Sequence, residues 1–176
     1  MGTWVYASPF RPPWMTAWEA HSLSVLTDGR FEMGVGTGRP GIEDELRERG
    51  LPAVPPGERL AQVRETVRAL RDLDGPGHHT PVAMAVRGPK AQALAADLAD
   101  TVTFAQLPGE PRAEVARLAR DFRAIRDVEL AILPDDPAAA AEEIQRRREE
   151  IGFSYFVFGA DSADALAPVV AKLAGR

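Results

Sequence analysis

The sequence predicts an α/β fold, with a mostly parallel sheet of about six strands and flanking helices. Short strand-like segments alternate with helical segments along the whole chain. Helical crossovers between consecutive strands are the connections that parallel sheets require. Glycine and proline residues stand between many of the segments, where the chain must turn. About six strands are fewer than the eight that close a (β/α) barrel.

The first strand is predicted over residues 3–8, which are β-branched and aromatic and are followed by prolines. Residues 14–26 have apolar side chains at helical spacing, which predicts a helix with one buried face. Apolar residues at alternate positions predict a strand over residues 31–35. A short helix over residues 43–48 and an amphipathic helix over residues 58–73 follow, separated by a proline-rich loop.

The next elements follow a Gly/Pro/His turn. Residues 81–86 are predicted to form a short apolar strand, and residues 91–100 are predicted to form a helix. Another short strand is predicted over residues 101–105. Residues 110–126 place apolar side chains on one helical face, and residues 128–133 form an apolar strand.

The last three elements complete the alternation. Residues 137–151 are rich in Ala, Glu and Arg, which favour a helix, and residues 153–158 form an aromatic-rich strand. The final helix is predicted over residues 162–174, with Ser162 as its N-cap. One domain is expected over residues 1–176.

Composition and charge exclude several classes of function. The net charge is −5, and no basic block of the kind found in nucleic-acid-binding proteins is present. No apolar run is long enough to cross a bilayer and no secretory signal is found, so a cytoplasmic location is expected. Cysteine is absent, which excludes disulfides, thiolate nucleophiles and cysteine-ligated metals.

A glycine-containing turn after residues 31–35 is the first candidate site. Gly36, Thr37 and Gly38 end the strand, and glycines let the backbone turn sharply and let a ligand come close. Binding surfaces of α/β proteins lie at the C-terminal ends of the strands. The full dinucleotide-binding pattern is absent, and an ordinary turn is the alternative explanation.

A second candidate site follows the strand over residues 81–86. Arg87, Gly88, Pro89 and Lys90 precede a helix, and proline is favoured at a first helical position. The free N–H groups at a helix start attract anions, and the two basic side chains add positive charge. The segment indicates a phosphate site, with an ordinary strand-to-helix turn as the alternative.

Other chemically active side chains are predicted to be structural. His78 and His79 lie in a turn with no carboxylate at ligand spacing, and His21 lies on a helix, so we expect no metal. Asp135 and Asp136 are expected to cap the following helix.

Residues 146–148 are three arginines followed by two glutamates, which predicts a solvated helix face rather than an RNA contact. Trp4, Trp14 and Trp18 can cover a ring-shaped ligand or pack in the core equally well.

Five short motifs occur in a fixed order along the chain. They are GTWVYAS at residues 2–8, LTDGRFEMGVGTG at 26–38, PGERL at 56–60, RGPKA at 87–91 and GFSYF at 152–156. In this order they resemble the luciferase-like monooxygenase family, and within it the actinobacterial-type oxidoreductases that use the deazaflavin coenzyme F-420. The motif at residues 26–38 is the most specific of the five.

The resemblance implies a (β/α) barrel that binds a flavin or deazaflavin at the C-terminal ends of its strands. It implies that Ala7 and Ser8 lie behind the coenzyme ring, with a non-prolyl cis peptide bond between them. It also implies that Gly36, Thr37 and Gly38 lie beside the ring.

The same resemblance implies a phosphate-binding loop formed by Arg87, Gly88, Pro89 and Lys90, in agreement with the helix-start argument. Coenzyme F-420 or FMN is the implied cofactor, and a small organic molecule is the implied substrate. No residue is identified as a catalytic acid or base.

Two departures from the family pattern concern the start of the chain and Arg39. The family's first two strands and helices would precede Thr3, and some relatives carry a glutamate where this chain has Arg39. We therefore expect an incomplete TIM-barrel-like fold. Such a chain is a shortened member, one that completes its barrel in a homodimer or with a partner chain, or one that has lost catalysis.

Two functions of different classes follow. The first is a flavin- or deazaflavin-dependent oxidoreductase that performs hydride transfer or monooxygenation on an organic substrate. The alternative is a non-catalytic or partner subunit without a cofactor, which dimerises through the open sheet edge.

Overall fold

The computed structural model describes residues 1–105, 111–123, 129–133, 141–158 and 160–173. The chain divides into two compact units, residues 1–101 and residues 102–176. Six strands and seven α-helices alternate within the described residues, and the pairs β1–β2, β2–β3 and β5–β6 are parallel. The predicted α/β fold with parallel strands and flanking helices is thus confirmed, whereas a single domain over the whole chain remains a prediction. None of the described helices combines the length and apolar character that a membrane span requires.

The first unit contains three parallel strands and four helices. In chain order they are β1 (Tyr6–Ala7), α1 (Pro13–Leu26), β2 (Met33–Gly36), α2 (Ile42–Glu48), α3 (Pro56–Asp74), β3 (Val82–Ala85) and α4 (Pro89–Leu98). β2 lies between β1 and β3. The helices agree with the predicted ones to within two residues at each end.

Helix α1 buries its small side chains and exposes its large apolar ones. Thr16, Ala17, Ala20 and Ser24 are buried, and α1 packs against α3. The exposed apolar side chains are those of Trp14, Trp18, Val25 and Leu26. The prediction that these large side chains form the buried face is therefore wrong. Small side chains at the contact let two helix axes approach closely, and large ones would hold them apart.

Helix α3 has the amphipathic pattern that the sequence predicts. Val63, Val67 and Leu70 recur at helical spacing and are buried. The helix also contacts β2, whose Met33 and Val35 are buried. Burial of each such side chain stabilises the fold by about 1.5–3 kcal/mol.

The second unit is built around a cluster of phenylalanines. Its elements are β4 (Thr101–Ala105), which begins at the last residue of the first unit, α5 (Arg112–Arg123), β5 (Glu129–Leu133), α6 (Ala141–Ile151), β6 (Tyr155–Phe156) and α7 (Ala163–Leu173). The ring of Phe104 meets those of Phe122 and Phe153 edge to face, with centroids 6.2 Å apart in both pairs. All three rings are fully buried.

The first and last strands are reduced to two residues each. The strand over residues 3–8 is reduced to β1, because Ser8 already begins a 3-10 turn that ends at Phe10. The strand over residues 153–158 is reduced to β6, because pairing with β5 is confined to Tyr155 and Phe156. The predicted helix caps at residues 135 and 136 lie outside the described residues.

Candidate functional site

The three strands of the first unit end at one edge of their sheet. Ala7 pairs with Gly36, and Val35 pairs with Met84, so the C-terminal ends of β1, β2 and β3 lie side by side. The surface that these ends and the following residues form is called the loop edge. It consists of Ala7, Ser8, Gly36, Thr37, Gly38, Arg87, Gly88, Pro89 and Lys90. The residues that the sequence predicts for coenzyme binding are thus the last residues of β1 and β2 together with residues that follow the three strands.

Two glycines in β2 let the start of the chain lie against this strand. A Cβ on Gly34 would lie 2.0 Å from the Thr3 carbonyl oxygen, and a Cβ on Gly36 would lie 3.2 Å from Val5 Cγ2. The Thr3 hydroxyl donates to the Gly34 carbonyl and accepts from the Gly34 N–H, both at 3.0 Å. Glycine is therefore needed here for the approach of one chain segment to another.

Gly38 is needed for a different reason. Its φ is +91°, and an added Cβ would lie 1.8 Å from Ile42 Cδ1. Ile42 is buried at the start of α2. The glycine turn thus seats Ile42 in the core while Gly38 itself remains exposed at the loop edge.

The hydroxyl of Ser8 is engaged within the fold. Ser8 is buried, and its hydroxyl donates to the Arg59 carbonyl at 3.1 Å. This bond ties the end of β1 to the first turns of α3. Ser8 therefore contributes backbone to the loop edge, because its hydroxyl proton is already used.

The side chain of Arg59 is a buried cation beside the loop edge. It is not among the site residues that the sequence predicts. It is 11% exposed, donates to Glu43 Oε1 at 2.6 Å, and has an Nε with no partner among the described residues. The Glu43 backbone N–H and then this guanidinium lower the pKa of Glu43. Arg59 lies four residues before Val63, on the buried face of α3. That helical spacing is the signal that could have revealed it.

The start of α4 presents features that favour an anion. Gly88 is the N-cap and has no side chain that could accept from the first-turn N–H groups, and Pro89 is the first helical residue. Residues 87–90 are all exposed. The Gln92 amide donates to the Arg87 carbonyl at 2.9 Å, which holds the preceding loop against the first turn. A phosphate can reach these N–H groups from solvent, with Lys90 alongside.

The expected position of the cis peptide bond is wrong. Within the described residues, the non-prolyl cis bond joins Trp4 to Val5 and does not join Ala7 to Ser8. It lies in the segment that runs beside β2 ahead of β1, where Gly2 bridges to Glu32.

The histidines lie away from the loop edge. His78 and His79 precede β3, at the opposite end of that strand, and His79 is exposed and pairs with Asp100 at 3.0 Å. His21, on α1, donates to Asp74 at 2.8 Å. The expectation that no carboxylate lies at ligand spacing from His78 is therefore wrong, because Asp74 ends α3 and places a carboxylate oxygen within 4.8 Å of ring nitrogens of both His21 and His78.

Two further expectations are corrected by burial. Arg147 is buried and its Nε donates to Glu143 Oε1 at 2.7 Å, so the predicted solvated face is wrong for this residue. Trp4, Trp14 and Trp18 are exposed, so core packing is wrong for all three.

Comparison with known proteins identifies the family. The sequence model of luciferase-like monooxygenases matches residues 1–158. The chain belongs to this family. No curated protein sequence matches the chain.

Solved structures of the family's enzymes show the same fold at low identity. The chain is similar to the coenzyme F420 dependent tetrahydromethanopterin reductase from Methanopyrus kandleri, with 16% identity and a TM-score of 0.56 over 98% of this chain and 63% of that chain. It is similar to an F420-dependent secondary alcohol dehydrogenase in complex with an F420-acetone adduct, with 16% identity and a TM-score of 0.63 over 96% of this chain and 78% of that chain. It is similar to riboflavin lyase with modified FMN and riboflavin, with 14% identity and a TM-score of 0.56 over 84% of this chain and 44% of that chain. The chain therefore spans less than two thirds of the length of the reductase and of the lyase.

The second unit contains a separate apolar cavity of about 450 Å³ between α6, β6 and α7. Its large apolar lining residues are Ile144, Phe156, Phe158, Leu166, Val169, Val170 and Leu173. None of the family member's predicted site residues lines it.

Proposed function

We propose that this family member binds coenzyme F-420, or FMN in its place, and serves hydride transfer or monooxygenation of a small organic molecule. The observation that carries the proposal is the pairing of Ala7 with Gly36. Together with the β2–β3 register, this pairing brings the three predicted coenzyme-binding loops to one edge. The family match and the F420- and FMN-containing neighbours support the class of coenzyme.

The loop edge is suited to a flat ring. The coenzyme, when bound, supplies the redox chemistry through its ring. Ala7 and Thr37 are half-buried and Gly38 is exposed, so small side chains and backbone face the space at the strand ends. A ring can lie close to the backbone at Gly36 and Gly38 because glycine has no side chain. The role of these residues is to orient the ring and to exclude water from one of its faces.

The start of α4 is suited to the coenzyme phosphate. The N–H groups of Lys90 and Ala91 belong to the first turn and have no partner within the helix. Gly88 supplies no competing side-chain acceptor. The positive end of the helix dipole contributes typically about 0.3–1 kcal/mol toward an anion, and the charges of Arg87 and Lys90 add to it.

Titration of the purified protein with coenzyme F-420 or FMN, followed by quenching of coenzyme fluorescence, tests the proposal. Lys90 and Lys172 are the two lysines of the chain, so Lys172→Ala is a matched control for Lys90→Ala. Lys90→Ala is expected to weaken binding about tenfold, because a charge-assisted hydrogen bond is lost. Lys172→Ala is expected to bind like the wild type. The proposal is contradicted if the protein quenches the fluorescence of neither coenzyme. It is also contradicted if Lys90→Ala and Lys172→Ala lose the same amount of coenzyme affinity.

A second candidate function is that of a subunit that completes its barrel with a partner chain or a second copy. Trp14 and Trp18 are 62% and 57% exposed on α1, and β1 is the edge strand of the sheet in the described residues. Exposed aromatic faces and open strand edges are surfaces that proteins usually cover.

Sedimentation velocity distinguishes this candidate from a coenzyme-binding monomer. Self-association that Trp18→Gln weakens, together with a lack of coenzyme quenching, supports the partner subunit. A monomer that binds coenzyme excludes it.

A further inference from the structure

Three potential metal ligands converge at the end of the first unit's sheet that lies away from the loop edge. His21 lies on α1, Asp74 is the last residue of α3, and His78 lies in the segment before β3. A ring nitrogen of each histidine and a carboxylate oxygen of Asp74 all lie within 4.8 Å of one another. The two imidazole rings meet edge to face, with centroids 5.7 Å apart.

The carboxylate of Asp74 is buried and held in place. Its side chain is 1% exposed. Its Oδ2 accepts from the Thr80 N–H at 2.8 Å, and its Oδ1 accepts from the Thr80 hydroxyl at 2.9 Å and from His21 Nδ1 at 2.8 Å. These donors favour the ionised carboxylate, which is the form that a metal ion requires.

The two oxygens of Asp74 have different surroundings. Arg71 lies 3.4 Å from Oδ2, so this cation and the Thr80 N–H share one oxygen. Oδ1 accepts from the Thr80 hydroxyl and from His21, and it is the oxygen that a metal ion can reach in exchange for the histidine N–H.

The imidazole of His78 is oriented by a buried hydroxyl. Its Nε2 lies 2.8 Å from Ser24 Oγ, and Ser24 is fully buried. Histidines that ligate metals commonly use one ring nitrogen for the ion and the other for such a hydrogen bond. The Ser24 hydroxyl therefore fixes the orientation of the His78 ring beside Asp74 and His21.

We propose that His21, Asp74 and His78 bind one divalent transition-metal ion of the zinc type. Imidazole nitrogens and a carboxylate oxygen are ligands that such ions prefer, with water in the remaining position. Ligand atoms around tetrahedral zinc lie roughly 3.3 Å apart, so the widest separations of up to 4.8 Å must shrink on binding, while the His21–Asp74 pair at 2.8 Å opens slightly. The ion joins α1, α3 and the segment before β3. This site is independent of the coenzyme site proposed above.

The chain offers a matched control because it has three histidines and the third lies outside the cluster. His79 is adjacent to His78 but is exposed and pairs with Asp100. Metal-free protein without coenzyme is titrated with Co²⁺, whose visible absorption reports binding, and with Zn²⁺, whose binding raises the midpoint of thermal unfolding. Wild type and His79→Ala are expected to give the same Co²⁺ band and the same Zn²⁺-dependent rise.

His78→Ala is expected to weaken Co²⁺ affinity at least about a hundredfold, since loss of an outer-shell partner alone costs about ten- to a hundredfold. Far-UV circular dichroism verifies that the variant folds, and His21→Gln is a second variant with the same expected loss. Absence of a Co²⁺ band in the wild type, or an equal loss in His79→Ala and His78→Ala, overturns the proposal.

Discussion

Ala7, the last residue of β1, is paired with Gly36, the last residue of β2. Because the two strands are parallel, Ser8 and Thr37 leave the sheet at the same edge. Gly36 has no side chain, and the Ser8 hydroxyl already donates to the Arg59 carbonyl. The candidate site is therefore defined by backbone placement and by the basic start of α4.

Gly34→Ala is expected to destabilise the first unit by about 3 kcal/mol, because its Cβ would lie 2.0 Å from the Thr3 carbonyl oxygen. Gly57→Ala is the matched control. Gly57 lies in α3 with open space around it, so the same substitution there stabilises the helix by up to about 1 kcal/mol. Urea unfolding measures both changes. A Gly34→Ala variant as stable as the wild type contradicts the close approach of residue 3 to β2.

Gly88→Asp is expected to act in opposite directions on stability and on coenzyme binding. The backbone of Gly88 is extended, with φ −77° and ψ 159°, and a new side chain meets open space. Aspartate at the N-cap then stabilises α4 by a few tenths of a kcal/mol or more. Its charge repels a phosphate at the same place, so coenzyme affinity falls.

Gly88→Asn separates these two effects, since asparagine caps the helix without a charge. Thermal unfolding and coenzyme titration give both readouts. Coenzyme affinity that is equal in the aspartate and asparagine variants contradicts a phosphate site at the start of α4.

Arg59→Met is expected to raise the pKa of Glu43 toward the ordinary value of 4.5. The backbone N–H of Glu43 remains and continues to lower this pKa, but the guanidinium is lost. A lowered carboxyl pKa stabilises the fold above the unfolded value, and this contribution disappears as pH falls through the folded pKa. The variant should therefore lose less stability than the wild type as the pH is lowered below about 4.5.

An NMR titration of the Glu43 carboxyl measures this shift directly. Arg64→Met, which removes an arginine from the exposed side of α3, is the control and should leave the titration unchanged. An unchanged Glu43 titration in Arg59→Met is inconsistent with the 2.6 Å contact.

Ala17→Leu is expected to destabilise the protein by about 1–3 kcal/mol, because Ala17 is fully buried in a helix that packs against α3. Trp14→Gln, on the exposed face of the same helix, is expected to change the unfolding free energy by no more than about 0.5 kcal/mol. Chemical unfolding of both variants makes the comparison. A larger loss of unfolding free energy in Trp14→Gln than in Ala17→Leu would instead indicate that α1 buries its large apolar side chains, as the sequence predicts.

The elements that follow from the sequence most directly are those that local pattern decides. The helical spacing of Val63, Val67 and Leu70 identified α3, and Pro89 before an alanine-rich segment marked the start of α4. The motif at residues 26–38 indicated the family, and the match over residues 1–158 confirmed it. These features depend on neighbours within one or two helical turns, or on a distinctive run of residues.

The sequence by itself therefore determined the order and type of the elements, the parallel strands that their alternation requires, and the family. Only the tertiary structure decided that α1 turns Ala17 inward and Trp18 outward, that Arg59 is buried beside Glu43, and that Asp74 meets His21. Periodicity shows that a helix has two faces, but the shape of the surface that it packs against selects the buried one. Likewise, Asp74 and His21 are 53 residues apart in the chain, and only the packing of α1 on α3 brings their side chains into contact.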